Sequence, residues 1–374
     1  MKEKGKLLQG QTVVIIMLVF VFSFLCWRQF FQNIDGLIFT AHEDETLSKS
    51  EIFDEYIDTL DSAWYDKIYK KKELNALHSM YTYYTLKEIL SSQVVAGKED
   101  WLFYVEKIDS DSIADYEGTD RYTEAELMEF LYATVENQNR MNEKGIQLAV
   151  LVVPNKENVY SEYMPDYYIH NPISNTDLLV EYLKSNGINI VSSKEDMLKL
   201  SSKYQLYYPY DSHWNQLGAY VAVGTVLRQF DIHMEELQNR KITSYPLHGN
   251  YHEGAWSDLA NMSGLNYVLN DEREFEVEGT IQMDWNQYAI SQYNKEVWHY
   301  NNPDAMVAGK VFLIGDSCRT AMIPALSEVY QDVYVIHRTD YNPQMLEAVQ
   351  PDYVIVEYVE RYANQMKDFY LELY

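Results

Sequence analysis

Asp211, Ser212, His213 and Trp214 form one short string, and Gly315, Asp316 and Ser317 form another. Together they supply a carboxylate, an imidazole and a hydroxyl, the three groups that nucleophilic acyl chemistry needs. The imidazole takes the hydroxyl proton as the oxygen attacks a carbonyl carbon, and the carboxylate fixes the imidazole tautomer. Along an extended loop residues i and i+2 project to one side, so Asp211 and His213 are expected to face each other. Ser317 follows the apolar run Val311-Phe312-Leu313-Ile314 and precedes a helical pattern. That places it at the carboxyl end of a buried strand, where open α/β sheets present reactive groups. Alone, each string also reads as capping: Asp-x-His before a helix, and a glycine turn with a serine cap. Their complementary roles are what point to a site. Trp214 is expected to wall that site, and Asn215 to cap a helix carrying Val221, Val226, Leu227 and Phe230.

The elements that must hold these strings alternate as a parallel sheet requires. Trp101-Leu102-Phe103-Tyr104 reads as a first strand after the turn at Gly97. Thr123-x-x-Glu126 is a capping box, opening a helix with Leu127, Phe130, Leu131 and Val135 on one face. Gly145 ends it, and 148–153 is an apolar run suited to a strand buried on both faces. A second helix around Leu178–Leu183 stops at Gly187, 188–191 is extended, and a third helix covers about 193–203. The runs 311–314, 333–336 and 353–356 are three further buried strands. Pro324 sits in the first turns of a helix with Met322, Leu326 and Val329, where proline is tolerated. Residues 238–300 break the rhythm and read as an insertion with local β-structure.

Composition bounds the setting. Hydrophobic residues make up 47% of the 374, enough for a large core, and the formal charge is −27. Residues 1–31 hold Lys2, Lys4, Lys6 and Arg28 against Glu3, so the rest is more acidic still. Such a body repels phosphates and anionic lipid, which argues against a nucleic-acid partner. Residues 13–27 are almost wholly apolar behind the lysines. By the positive-inside rule this predicts a cytoplasmic tail, a signal anchor and an extracytoplasmic body. The expected organisation is a tail and transmembrane anchor at 1–31, a helical stalk at 32–92, and a catalytic domain at 93–374. Trp27-Arg28-Gln29-Phe30-Phe31 is no small-x-small cleavage site, which favours an uncleaved anchor. The cysteines are Cys26, in the apolar run, and Cys318, expected as a small buried residue. The 34 tyrosines could present flat faces to sugar rings or simply populate a secreted surface.

Three more pieces complete a pattern: Gly97-Lys98-Glu99-Asp100-Trp101-Leu102-Phe103, Val153-Pro154-Asn155-Lys156 and Val356-Glu357-Tyr358-Val359-Glu360-Arg361. With the two strings, in this order, residues 93–374 resemble the SGNH/GDSL hydrolase superfamily. More narrowly they resemble the AlgX/AlgJ-like alginate O-acetyltransferases and relatives named for a DHHW string, although Asp211-Ser212-His213-Trp214 matches that spelling only approximately. The resemblance implies an α/β fold with an SGNH-type parallel sheet flanked by helices. It implies Ser317 as nucleophile, His213 as general base and Asp211 as its orienter, an order permuted relative to ordinary SGNH hydrolases. It further implies a cell-membrane protein that acetylates a polysaccharide acceptor beside a membrane-bound O-acyltransferase that supplies acyl groups. No cofactor or metal is called for. The glycine and asparagine blocks that usually complete the oxyanion hole are not identifiable, leaving the backbone N–H of Ser317 as the nameable donor. Lys156 is a candidate contact for acyl donor or glycan. Glu357 and Arg361 are spaced for an i,i+4 ion pair. His248 and His252 share that spacing without other metal ligands nearby. The acidic body favours a neutral or amino-bearing glycan over alginate. Two other readings stand beside transfer: a carbohydrate acetylesterase, and a non-catalytic polysaccharide-binding or assembly protein.

Overall fold

Continuous apolar runs, buried on both faces, become the parallel centre of a seven-stranded sheet. Its strands are β1 (Gln147–Val153), β2 (Ile190–Ser192), β3 (Ala289–Ile290), β4 (Val297–Asn301), β5 (Val307–Gly315), β6 (Tyr330–His337) and β7 (Tyr353–Val359). They lie in the order β2-β1-β7-β5-β6-β4-β3. The computed structural model describes residues 71–105, 107, 111–247, 257–281, 289–290 and 297–372. The apolar run at 13–27, Cys26, His248 and His252 lie outside the described residues. Among the described residues no helix is long and apolar enough to cross a membrane. The chain divides into two compact units, Met1–His78 and Ser79–Tyr374, and the sheet belongs to the second.

Strict alternation along the central strands builds two cores. Ala149, Leu151, Val153, Val311, Leu313, Val333, Val335 and Ile355 share one core with helices α5 (Gln216–Leu227) and α7 (Ile323–Val329). Leu148, Val150, Val152, Phe312, Ile314, Ile336, Val354 and Val356 share the other with α1 (Glu124–Glu143), α3 (Asn175–Ser185) and α8 (Pro343–Val349). The result is a sheet between two helical layers. The predicted capping box is formed, with Thr123 and Glu126 bonding reciprocally. Helix α5 is apolar all round and buried on nearly every side, because Tyr207, Leu237 and Val277 join the sheet in covering it.

Two expectations need correction. Leu102–Tyr104 does not enter the main sheet; it pairs antiparallel with Val94–Ala96. Glu99 and Asp100 both adopt positive φ (53° and 64°), which turns the chain back on itself at once. The sheet is also mixed rather than purely parallel. β2, β1, β7, β5 and β6 are parallel, but β4 runs antiparallel to β6, and β3 antiparallel to β4. Within Val297–Asn301 only Val297 and Tyr300 are fully buried, as suits an antiparallel strand near a sheet edge that is covered less completely than the parallel centre. The segment 238–300 thus extends the main sheet at its end. It also forms a separate antiparallel pair, Ile242–Pro246 with Arg273–Val277, and a short helix, α6 (Asp258–Met262).

Candidate active site

Parallel register brings the carboxyl ends of four strands to one edge: Gly315 pairs with His337, Ile314 with Val356, and Val359 with Val153. The turn after β5 is too tight for a side chain at its first position. A Cβ on Gly315 would meet Glu357 Oε2 at 2.4 Å and the Arg319 Cβ at 2.9 Å. Asp316 then turns inward. Its carboxylate accepts from the backbone N–H of Cys318 at 2.9 Å and of Val359 at 2.8 Å, with the Arg338 guanidinium 4.0 Å away. Its own N–H donates to Glu357 at 2.9 Å. These bonds leave Ser317 exposed at the head of a short 3-10 helix, Ser317–Met322. The first N–H groups of a helix lack intrahelical acceptors, so the Ser317 N–H is free of that ladder. Cys318 points into the core, where burial pushes its thiol well above the usual range; it has none of the thiolate character of a reactive cysteine.

The loop carrying His213 is braced from four directions. Tyr207 and Trp214 bridge antiparallel, and Tyr208 N–H donates to His213 O at 3.2 Å. Asn215 caps α5 by accepting from Leu217 and Gly218 N–H at 2.9 and 3.3 Å, as expected of it. Lys156, at the start of helix α2 (Lys156–Val159), donates to the carbonyls of Tyr208, Pro209 and Asp211 at 3.1, 3.1 and 2.7 Å. The Trp214 indole N–H donates to Cys318 O at 2.9 Å and ties this loop to the serine turn.

Between these braces lie the three groups. His213 Nε2 is 2.7 Å from Ser317 Oγ, and His213 Nδ1 is 2.6 Å from Asp211 Oδ1. The same Asp211 oxygen accepts the His213 backbone N–H at 2.9 Å. Asp211 and His213 therefore meet through a carboxylate-capped bend, not through the alternation of an extended loop. Burial opposes charge on both. The His213 hydrogen bond and charge nevertheless bring the Asp211 carboxyl down to about 2. Burial pulls the imidazole down, but the Asp211 hydrogen bond and the charges of Asp211 and Asp258 outweigh it and hold His213 above its ordinary value. A carboxylate charged at every working pH faces Nδ1, and Nε2 faces a hydroxyl. Such an arrangement can act chemically as a general base directed at a nucleophile.

Two candidate contacts are misplaced for substrate. Lys156 is only 3% exposed and Trp214 only 1%, both behind the reacting edge. They position loops and do not line a cleft. Glu357 lies on β7 with no exposure at all, so helical i,i+4 spacing does not govern it. It underpins the Gly315–Asp316 turn instead.

Two carboxyls that sequence reasoning passed over brace the loop that carries His213. Asp258, at the start of α6, donates its backbone N–H to Asp211 Oδ2 at 2.9 Å. Its carboxylate accepts from Ser212 N–H at 2.7 Å and from Ser212 Oγ, with Oδ2 3.5 Å from His213 Nδ1. Glu272 accepts from Tyr210 N–H at 2.7 Å and from the Ser257 hydroxyl. Neither carries a motif; their partners in the 210–212 loop lie 46 to 62 positions away on the chain. Asp211, His213 and Asp258 are close enough to share a cation. However, the carboxylate oxygens that would ligate it already accept hydrogen bonds within the loop.

A family model described as an SGNH hydrolase-like domain, acetyltransferase AlgX, matches residues 94–284, about half of the chain. That span holds Asp211 and His213 and ends before Ser317. Among solved structures, Bacillus cereus PatB1 is 14% identical, with a TM-score of 0.50 over 74% of this chain and 99% of that one. PatB1 with a sulfonyl adduct is 12% identical, with the same TM-score over 76% of this chain and 99% of that one. A DHHW family protein from Eubacterium siraeum is 14% identical, with a TM-score of 0.46 over 66% of this chain and 90% of that one. At such identities the PatB1 likeness is one of fold. No curated protein sequence matches.

Proposed function

From a chain that belongs to the family of SGNH hydrolase-like, AlgX-type acetyltransferase domains, we propose an O-acetyltransferase acting through Ser317, His213 and Asp211 on a polysaccharide hydroxyl outside the cytoplasmic membrane. The observation that carries the reading is the 2.7 Å approach of His213 Nε2 to Ser317 Oγ at the carboxyl end of β5. His213 takes the Ser317 proton at Nε2 as Oγ attacks the acyl carbonyl carbon. The resulting oxyanion lies toward the Ser317 N–H. Collapse of this intermediate breaks the bond to the donor's alcohol or thiol, which leaves with the proton from Nε2, and the acyl group stays on Oγ. A sugar hydroxyl then gives its proton to Nε2 and attacks the acyl carbon. Ser317 departs with that proton. Asp211 stays ionised throughout and stabilises the imidazolium in both steps.

The rest of the reading concerns the setting. The run at 13–27 anchors the protein with its catalytic domain extracytoplasmic, and a membrane-bound O-acyltransferase delivers the acyl groups. The acidic body selects a neutral or amino-bearing acceptor. The test uses the full-length chain, a chromogenic acetyl ester and candidate oligosaccharides, with Ser317→Ala as control. Acetylated sugar formed by wild type alone supports transfer. Ester cleavage without acetylated sugar, lost in the variant, reassigns the protein as an esterase. Equal signals from both proteins leave only a binding role.

A further inference from the structure

The carboxylate of Asp258 has no part in the two steps above, yet it is the second acid at the imidazole. We propose that Asp258 is a second positioning carboxylate of His213, clamping its loop through Ser212 and placing an additional negative charge behind Nδ1. The inference rests on the reading of His213 as the base for Ser317.

Four contacts carry it. The backbone N–H of Asp258 holds Asp211 Oδ2 at 2.9 Å, so the primary orienter is itself oriented by α6. Asp258 Oδ1 holds the Ser212 N–H at 2.7 Å, and Ser212 Oγ donates to Oδ2. Ser212 lies between the two residues whose geometry matters. Finally, Asp258 Oδ2 is 3.5 Å from Nδ1, too long for the hydrogen bond that Asp211 already makes at 2.6 Å, but close enough for charge to act. The side chains of Asp258 and His213 are 34% and 30% exposed, so solvent only partly screens the pair.

The charged groups around Asp258 fix the sign. Asp211 and His213 face it from the loop, and the charges of Lys156 on α2 and of Glu272 reach the same cluster. Arg361 acts on His213 from the end of β7 and opposes its protonation. Removing one negative charge at Asp258 makes the imidazolium less favourable, so His213 becomes a weaker base. The segment 238–300 then does more than extend the sheet, because α6 completes the machinery that aims the base.

The test reads His213 without an acetyl acceptor. Full-length protein is treated with phenylmethanesulfonyl fluoride across pH 4.5–9, and sulfonylation of Ser317 is timed by peptide mass. The rate rises with pH as His213 loses its proton. Asp258→Asn keeps an oxygen for the Ser212 N–H but drops the charge. We expect its midpoint to fall by about one pH unit, with the high-pH rate lowered by roughly threefold because a weaker base takes the hydroxyl proton less readily. Asp258→Glu restores the wild-type midpoint. Asp258→Ala, which loses clamp and charge, lowers the high-pH rate by roughly tenfold as well. If Asp258→Asn does not fold, judged by circular dichroism, Asp258→Ser carries the same predicted fall. An Asp258→Asn midpoint equal to or above wild type overturns the inference while leaving acetyl transfer untouched. Sulfonylation with the predicted shift, but no acetylated sugar, removes the transferase reading and leaves Asp258 its role. Absence of Ser317 labelling in wild type removes both.

Discussion

Lys156→Met separates a loop brace from a substrate contact. The methionine keeps the unbranched stem that passes Trp101 and Phe103, whose ring centroids lie 5.7 and 5.1 Å from Nζ. It deletes three donors aimed at the carbonyls of Tyr208, Pro209 and Asp211. At about 1 kcal/mol for each carbonyl left without a partner, the loss is roughly 3 kcal/mol. Burial lowers the ammonium pKa to about 8 against the pull of Asp258, Asp211, Glu272 and Glu157, so part of that loss is returned when the charge goes. A net cost of about 2 kcal/mol lowers the thermal midpoint by roughly 3 °C in a domain of this size. Because the released carbonyls belong to the loop that aims His213, turnover falls too, and the rate of Ser317 sulfonylation falls with it. Calorimetry and the sulfonylation assay on the same preparations check both. A surface contact for donor or glycan predicts the opposite pattern: KM rises while the midpoint and the sulfonylation rate stay at wild-type values. That outcome would refute the assignment of Lys156 to the scaffold.

Gly315→Ala forces a Cβ to within 2.4 Å of Glu357 Oε2, and neither the strand nor the buried acid can give way. A loss of about 1–3 kcal/mol with near-complete loss of Ser317 labelling is expected, read by urea unfolding and peptide mass. Trp214→Phe keeps most of the ring volume but removes the indole donor to Cys318 O. The orphaned carbonyl costs about 1–2 kcal/mol, and the acylation rate falls more than stability, as parallel melting and sulfonylation curves would show. Glu272 links pH to folding. Burial raises its carboxyl to about 7, the Asp211 charge adding to the effect. The folded state therefore keeps a proton that the unfolded chain loses near 4.5. The associated stability is complete below pH 4.5 and disappears as pH rises through 7, up to about 3 kcal/mol. Glu272→Gln, neutral throughout, should accordingly melt higher than wild type at pH 8 and no higher at pH 4.5; a gain of equal size at both contradicts this assignment.

The centre of the fold was legible because burial on both faces leaves an unmistakable mark: 148–153, 311–314, 333–336 and 353–356 are apolar without interruption. The capping residues Thr123 and Asn215 were legible because capping is local. Edges were not. Leu102–Tyr104 looks like any core strand, and only the positive φ at Glu99 and Asp100 diverts it into a hairpin. Strand β4 mixes apolar and polar residues and owes its place to pairing with β6, and the two-residue β3 owes its place to pairing with β4. The site divides in the same way. Asp211, His213 and Ser317 stand in strings whose residue types announce them. Lys156 reads as an ordinary loop lysine until carbonyls 52 to 55 positions along the chain close over its ammonium. Asp258 is one of many acids in an acidic chain, and its nearness to His213 exists only in the folded molecule.

The central claim is that Ser317 Oγ carries the acyl group. Rapid acid quench of the full-length chain after mixing with an activated acetyl ester, followed by peptide mass mapping, tests it most directly. The account predicts one acetyl group on Ser317, absent from Ser317→Ala, accumulating more slowly in Asp211→Asn, and discharged when a competent sugar acceptor is added. Acetylation confined to other residues, or an acetyl-Ser317 that no acceptor or water discharges, contradicts it.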